Sequence, residues 1–235
     1  MLSVNAGRAE PVAYTDVAIG RTGIGKRPVP GPVRIVAPGP EGASGVDGDD
    51  VCDLRFHGGD DRAAYAFARE DLDVWERELG RPLGNGSFGE NLTTCGYDIN
   101  TALIGERWRI GSALVVEVTG GRVPCRTFAG WLGEKGWVRR FTQAARTGTF
   151  LRVVEPGQVC AGDAIDVIHR PGHDVTVSLL FRAATLERDL LPLTLPAARW
   201  MESGFRETVL AYVRKYGGAD PAQVTTSLPS RRSAP

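Results

Sequence analysis

Cys125 lies in the run Arg122-Val123-Pro124-Cys125-Arg126-Thr127, where a strand-like stretch has ended near Thr119 and helix-like sequence begins. A thiol at or near a helix N-terminus, with a guanidinium on either side, is drawn toward its thiolate, the form that binds metals and attacks electrophiles. Cys52 and Cys160 read instead as small packed residues, and Cys95 lacks the same setting. The residues alone leave Cys125 open between metal ligand, nucleophile and packed side chain.

Three further segments can do chemistry. Phe56-His57-Gly58-Gly59-Asp60-Asp61-Arg62 sits at a strand-to-helix junction. Paired glycines allow close backbone approach, the helix start offers amides to an anion, and His57 and Arg62 add side-chain donors. The same residues also suit a tight turn with an Asp as helix cap, and those carboxylates compete with an anion for the amides. The run from Gly84 to Thr93 is too glycine-rich for a helix. Its Asn91 and Thr93 can both donate and accept, which suits either a heterocycle edge or a surface turn. Lys26-Arg27-Pro28-Val29-Pro30 holds two basic side chains on a proline-stiffened approach to a strand, as a ligand loop or a solvated one.

These segments need a scaffold to position them. Glycine and proline punctuate short Val/Ile-rich runs, the pattern of a sheet or barrel with many turns. Strands are expected at 33–37, 51–56, 107–110, 113–119, 150–154 and 164–168. Tyr65, Ala68, Leu72, Trp75 and Leu79 recur at spacings of three and four, which predicts one long helix from Asp61 to Leu79, stopped by Gly80 and Pro82. Two helical pieces follow Cys125, divided at Gly136. Beyond Gly172 the pattern reads as a short strand and then helices, at Leu186–Leu191 and from Pro196 to about Lys215, with Gly204 as a divider. This gives a β-rich domain over 1–171, a small helical extension over 172–216, and a tail at 217–235 too poor in apolar mass to fold.

Bulk properties bound the function. The 28 basic and 28 acidic residues cancel, so no global field points to a nucleic-acid polymer or a membrane surface. No apolar run reaches the length of a membrane span, and no secretory signal is evident. The cytoplasm is therefore the expected location, with the four cysteines as free thiols. No CxxC pair or dinucleotide fingerprint occurs, so electrons for any redox reaction must come from elsewhere.

Taken in order, Lys26-Arg27-Pro28-Val29, Asp53 to Gly59, Tyr65 with Ala68-Arg69-Glu70-Asp71, Phe88-Gly89-Glu90-Asn91-Leu92 and Arg122-Val123-Pro124-Cys125 resemble the MOSC domain, in its stand-alone YiiM-like form. The resemblance covers about residues 15–170 and is weaker over 174–215. It implies a β-rich α+β fold, a β-barrel of the pyruvate-kinase barrel type with a helical extension. It implies a molybdenum cofactor (molybdenum bound to molybdopterin) held by Cys125 as metal ligand and catalytic residue, with Lys26, His57, Gly58, Arg62, Asn91, Thr93 and Arg122 as its cradle. The activity so implied is two-electron reduction of N-hydroxylated small molecules, hydroxylaminopurine-type bases among them, to amines, with a separate reductase as electron donor. A persulfide on Cys125 serving sulfur transfer, or non-catalytic binding of a phosphorylated ligand, stays open, as does a homodimer.

Overall fold

The computed structural model describes residues 1–39 and 42–216; the expected tail at 217–235 lies outside the described residues. Its strands are β1 (Ser3–Ala6), β2 (Glu10–Pro11), β3 (Arg21–Thr22), β4 (Arg27–Pro28), β5 (Val33–Ile35), β6 (Ala64–Ala68), β7 (Leu92–Thr94), β8 (Arg107–Ile110), β9 (Leu114–Gly120), β10 (Thr149–Glu155), β11 (Gly157–Val159) and β12 (Ile165–His169). Its α-helices are α1 (Arg69–Leu79), α2 (Arg126–Leu132), α3 (Trp137–Ala144), α4 (Val177–Thr185), α5 (Leu191–Thr194) and α6 (Ser203–Tyr216). Eight strands pair in the order β12-β8-β9-β10-β6-β7-β1-β4 and curl into a half-barrel, the β-rich α+β architecture expected. No helix among the described residues is long and apolar enough to cross a membrane.

The centre of the sheet follows from composition. All seven residues of β9, Leu-Val-Val-Glu-Val-Thr-Gly, are buried, and branched side chains pack well on a pleated surface. Val116 of β9 faces Trp108 on one side and Val153 on the other, cross-strand pairs that each contribute about 0.2–1 kcal/mol. The β6–β7 pairing is parallel, and such a pair requires a long crossover, which α1 and the glycine-rich loop provide.

Four expectations are corrected. The helix over Asp61–Leu79 is in fact a single 3-10 turn at Asp60–Arg62, then β6, then α1 from Arg69. Ala64–Ala68 is buried at all five positions because it lies between β10 and β7, and a continuous buried run satisfies both helical and strand spacing. The strand expected at 51–56 is a turn at the protein surface, with Leu54 53% and Phe56 64% exposed. The strand expected just beyond Gly172 is the entry to α4. Thr176 caps that helix by accepting from the Leu179 amide at 3.0 Å, while Val177, Leu180 and Phe181 share one buried face. The last helical run divides at 198–202 rather than at Gly204. Glu202 ends the break by accepting from the amides of Gly204 and Phe205, at 2.9 and 3.3 Å.

Two apolar clusters hold the fold. The larger fills the half-barrel with residues such as Trp108, Val116 and Leu151, and the C-terminal helices add Leu180, Phe181, Phe205 and Val209 to the same cluster. The smaller is aromatic and joins α1, α2 and α3 around Phe88. Phe88 lies 5.0 Å from Phe67, 5.2 Å from Phe128 and 5.5 Å from Trp137, centroid to centroid. These tilted and edge-on contacts pin the glycine-rich loop against α2, whose first turn carries Cys125.

Candidate functional site

β10 brings the two chemical segments together. Its Phe150 pairs with Tyr65 of β6 on one side and with Gly120 of β9 on the other. The turn that leads into β6 and the loop that leaves β9 therefore emerge at one edge of the sheet. The first carries His57 and Gly58, the second Arg122 and Cys125. A cleft of about 1310 Å³ opens there, lined by Lys26, His57, Gly58, Arg62, Asn91, Arg122 and Cys125. Thr93 does not line it. The cleft also takes in Glu202, Ser203, Phe205, Glu207 and Thr208 from the α6 end of the chain. Nothing in the local sequence marked these residues.

Cys125 is half-buried at the N-cap of α2. Burial pushes its thiol up, but the His57 side chain, the Arg122 guanidinium and the Phe128 amide outweigh that and draw it down to about 6. At neutral pH the group is mostly thiolate. Iodoacetamide labelling of Cys125, followed by mass spectrometry of its peptide, is expected to rise with a midpoint near pH 6. In Arg122→Met the midpoint moves upward; a wild-type midpoint near the ordinary value of about 8.5 would show that these neighbours do not stabilise the thiolate. All four cysteines are free thiols.

The charge at Arg122 is held in place by its surroundings. Its guanidinium donates to the Phe88 carbonyl and lies 4.3 Å from the Phe128 ring centroid and 5.2 Å from that of Tyr65. The His57 turn is equally fixed. The amides of Phe56 and His57 both donate to the Asp53 carbonyl, at 3.3 and 3.1 Å, and Arg62 donates to the Phe56 carbonyl. Gly58 has φ +82°, and a Cβ there would sit 2.4 Å from the Ala43 carbonyl oxygen, so only glycine fits this turn.

The α-helical start expected after Gly59 is absent, so no row of helix amides faces an anion at that point. The two aspartates are not helix caps either. Asp60 accepts from the Gly39 amide at 2.8 Å. Asp61 takes Nε and Nη2 of Arg152, at 3.0 and 2.6 Å, and the Ser203 amide at 3.2 Å. Arg152, which also donates to Glu117 at 2.7 Å, offsets part of the acidic charge at this turn. Arg62 pairs with Glu202 at 2.6 Å, yet its Nε is buried without a partner. An unsatisfied buried donor costs about 1–3 kcal/mol.

Lys26 and Asn91 share one buried carboxylate. Asp49 pairs with the Lys26 ammonium and accepts from Asn91 Nδ2 at 2.9 Å, Ser44 Oγ at 2.8 Å and the Gly7 amide at 2.9 Å. Burial pulls the Lys26 ammonium below its ordinary value, against the attraction of Asp49. Asn91 Oδ1 accepts from the Tyr65 amide at 3.1 Å, so its side chain fastens the glycine-rich loop to β6. Glu90, buried behind it, accepts from the Phe88 amide at 3.0 Å and from Thr93 Oγ1 at 2.9 Å. Glu90 and Thr93 therefore shape the loop from within.

Residues 53–166 match the family model for the MOSC domain. The uncharacterized protein YflK of Bacillus subtilis is 35% identical over 182 residues, 77% of this chain and 79% of that protein. A reductase of Gibberella moniliformis is 29% identical over 133 residues, 55% of this chain but 23% of its own length. The crystal structure of YiiM from Geobacillus stearothermophilus superposes with a TM-score of 0.72 at 24% identity, covering 90% of this chain and 97% of that one.

Proposed function

This chain belongs to the MOSC domain family, and from that premise we propose that its cleft holds a molybdenum cofactor through Cys125 and reduces N-hydroxylated compounds to amines. The observation that carries the reading is a half-buried cysteine, drawn to its thiolate by His57 and Arg122, on the wall of a cleft of about 1310 Å³. A soft thiolate suits molybdenum already wrapped in the sulfur ligands of a pterin. Among the described residues no three His, Cys, Asp or Glu side chains converge, so a metal at Cys125 has to bring its other ligands with it. The unpartnered Arg62 Nε fits the phosphate of such a cofactor. Arg122 adds positive charge, Lys26 braces the wall through its pair with Asp49, Gly58 keeps the turn open, and Asn91 and Thr93 hold the wall in shape.

The bound group supplies the two-electron redox step. The protein orients it, shields it and handles protons. His57 Nδ1 faces the Asp53 carbonyl at 3.2 Å. A carbonyl only accepts, so this contact orients the ring with Nδ1 as its donor. The overall reaction is R–NHOH + 2 e⁻ + 2 H⁺ → R–NH₂ + H₂O. The electrons come from a separate electron-transfer protein.

Holoprotein from a host that makes the cofactor, given reduced methyl viologen and 6-hydroxylaminopurine, is expected to form adenine in proportion to its molybdenum content. Bound molybdenum without adenine overturns the reductase reading and leaves a cofactor-binding protein. The same thiolate also suits a persulfide, for which cyanolysable sulfur on Cys125 without turnover is the signature.

A further inference from the structure

We propose that Phe56, with Leu54 and Val123, forms an apolar jaw that selects flat N-hydroxylated rings over aliphatic N-hydroxylated compounds; this rests on the reductase reading of the same cleft. Phe56 is 64% exposed, Leu54 53% and Val123 53%, and all three line the cleft. They belong to the two segments that carry the chemistry: Phe56 directly precedes His57, and Val123 lies two residues before Cys125. Single exposed apolar residues are common on protein surfaces, but three large ones lining one polar cleft suit a ligand surface.

The jaw is built rather than loose. Asp53 accepts from the Phe56 and His57 amides, and Arg62 holds the Phe56 carbonyl. Arg55 is clamped by Asp53 at 2.8 and 2.9 Å and by Asp16 at 3.0 Å, and its guanidinium lies 5.4 Å from the Phe56 ring centroid. Arg55 thereby backs one face of the ring, and its charge is already matched by two carboxylates. What the jaw offers a substrate is an exposed aromatic face, with the branched side chain of Val123 on the lining of the same cleft. A planar heteroaromatic ring gains from stacking there, whereas a small aliphatic group has little surface to contribute.

The test compares holoprotein of the wild type, Phe56→Ala and Phe56→Tyr on 6-hydroxylaminopurine and on hydroxyurea, with reduced methyl viologen as donor. In Phe56→Ala the ratio of kcat/KM for the base to kcat/KM for hydroxyurea is expected to fall about tenfold, through KM for the base. Phe56→Tyr retains the preference. An unchanged ratio, or an equal loss on both substrates through kcat, overturns the jaw. A second readout needs no turnover: titration of each holoprotein with fluorescent 2-aminopurine. Binding by the wild type that weakens about tenfold in Phe56→Ala supports the jaw even where no base is reduced. Absence of binding by the wild type overturns it. Failure of the wild type to form adenine, with 2-aminopurine still bound, counts against the reductase reading alone.

Discussion

Cys125→Ser expressed in a host that makes molybdenum cofactor is expected to carry at least about tenfold less molybdenum than the wild type. The physical reason is specific to the thiol. Cys125 is drawn down to about 6 and meets a metal as a soft anion, whereas a serine hydroxyl at the same place stays protonated and hard. The substitution is nearly isosteric, and α2 keeps a residue type favoured at helix N-caps, so loss of metal is not loss of fold. Cys95→Ser, a change at an exposed thiol, serves as the control and is expected to load like the wild type. Pterin content, measured beside the metal, separates two contributions: residual pterin in Cys125→Ser reports on the cationic and Arg62 side of the cleft. Equal molybdenum in both proteins removes Cys125 from the ligand role and brings sulfur transfer or simple ligand binding to the front.

Asp49→Ala is expected to destabilise the protein by about 3–5 kcal/mol, read as a lowered denaturation midpoint in urea. The Lys26 and Asp49 side chains are 8% and 1% exposed, so removing the carboxylate strands an ammonium in the interior. It also strips an acceptor from the Gly7 amide, Ser44 and Asn91, which belong to three separate segments, of which Ser44 and Asn91 line the cleft. Cofactor loading is expected to fall together with stability. The double change Lys26→Met with Asp49→Leu recovers the share of the loss due to the stranded charge, but not the share due to the acceptors taken from Gly7, Ser44 and Asn91. A loss below about 1 kcal/mol in Asp49→Ala would show that the pair is solvated in solution and does not hold the wall.

Asp49 also illustrates what local sequence reading leaves out. Nothing around Val46-Asp47-Gly48-Asp49-Asp50 distinguishes it from its acidic neighbours; only the approach of Lys26, Asn91 and Gly7 in space does. The same holds for Glu202, which pairs with Arg62 from 140 residues away in the chain. The Gly84–Thr93 segment was open between a ligand loop and a surface turn. Its role as a packed wall depends on Phe88 reaching the aromatic cluster and Glu90 folding back on its own loop.

The sequence by itself determined the β-rich class, the strands around 107–119, 150–154 and 164–168, the two helices after Cys125, and the arginine-flanked setting of that cysteine. These signals are local: branched alternation, glycine stops, and a thiol flanked by arginines. Only the tertiary structure decided that Ala64–Ala68 is a strand and that residues 51–56 are a lip. A buried run carries no period of its own, and its neighbours in the sheet, β10 and β7, lie far away in the chain. Tertiary structure also set His57 beside Cys125. The two meet because Phe150 pairs at once with Tyr65 and Gly120, a coincidence of register that no window of sequence contains.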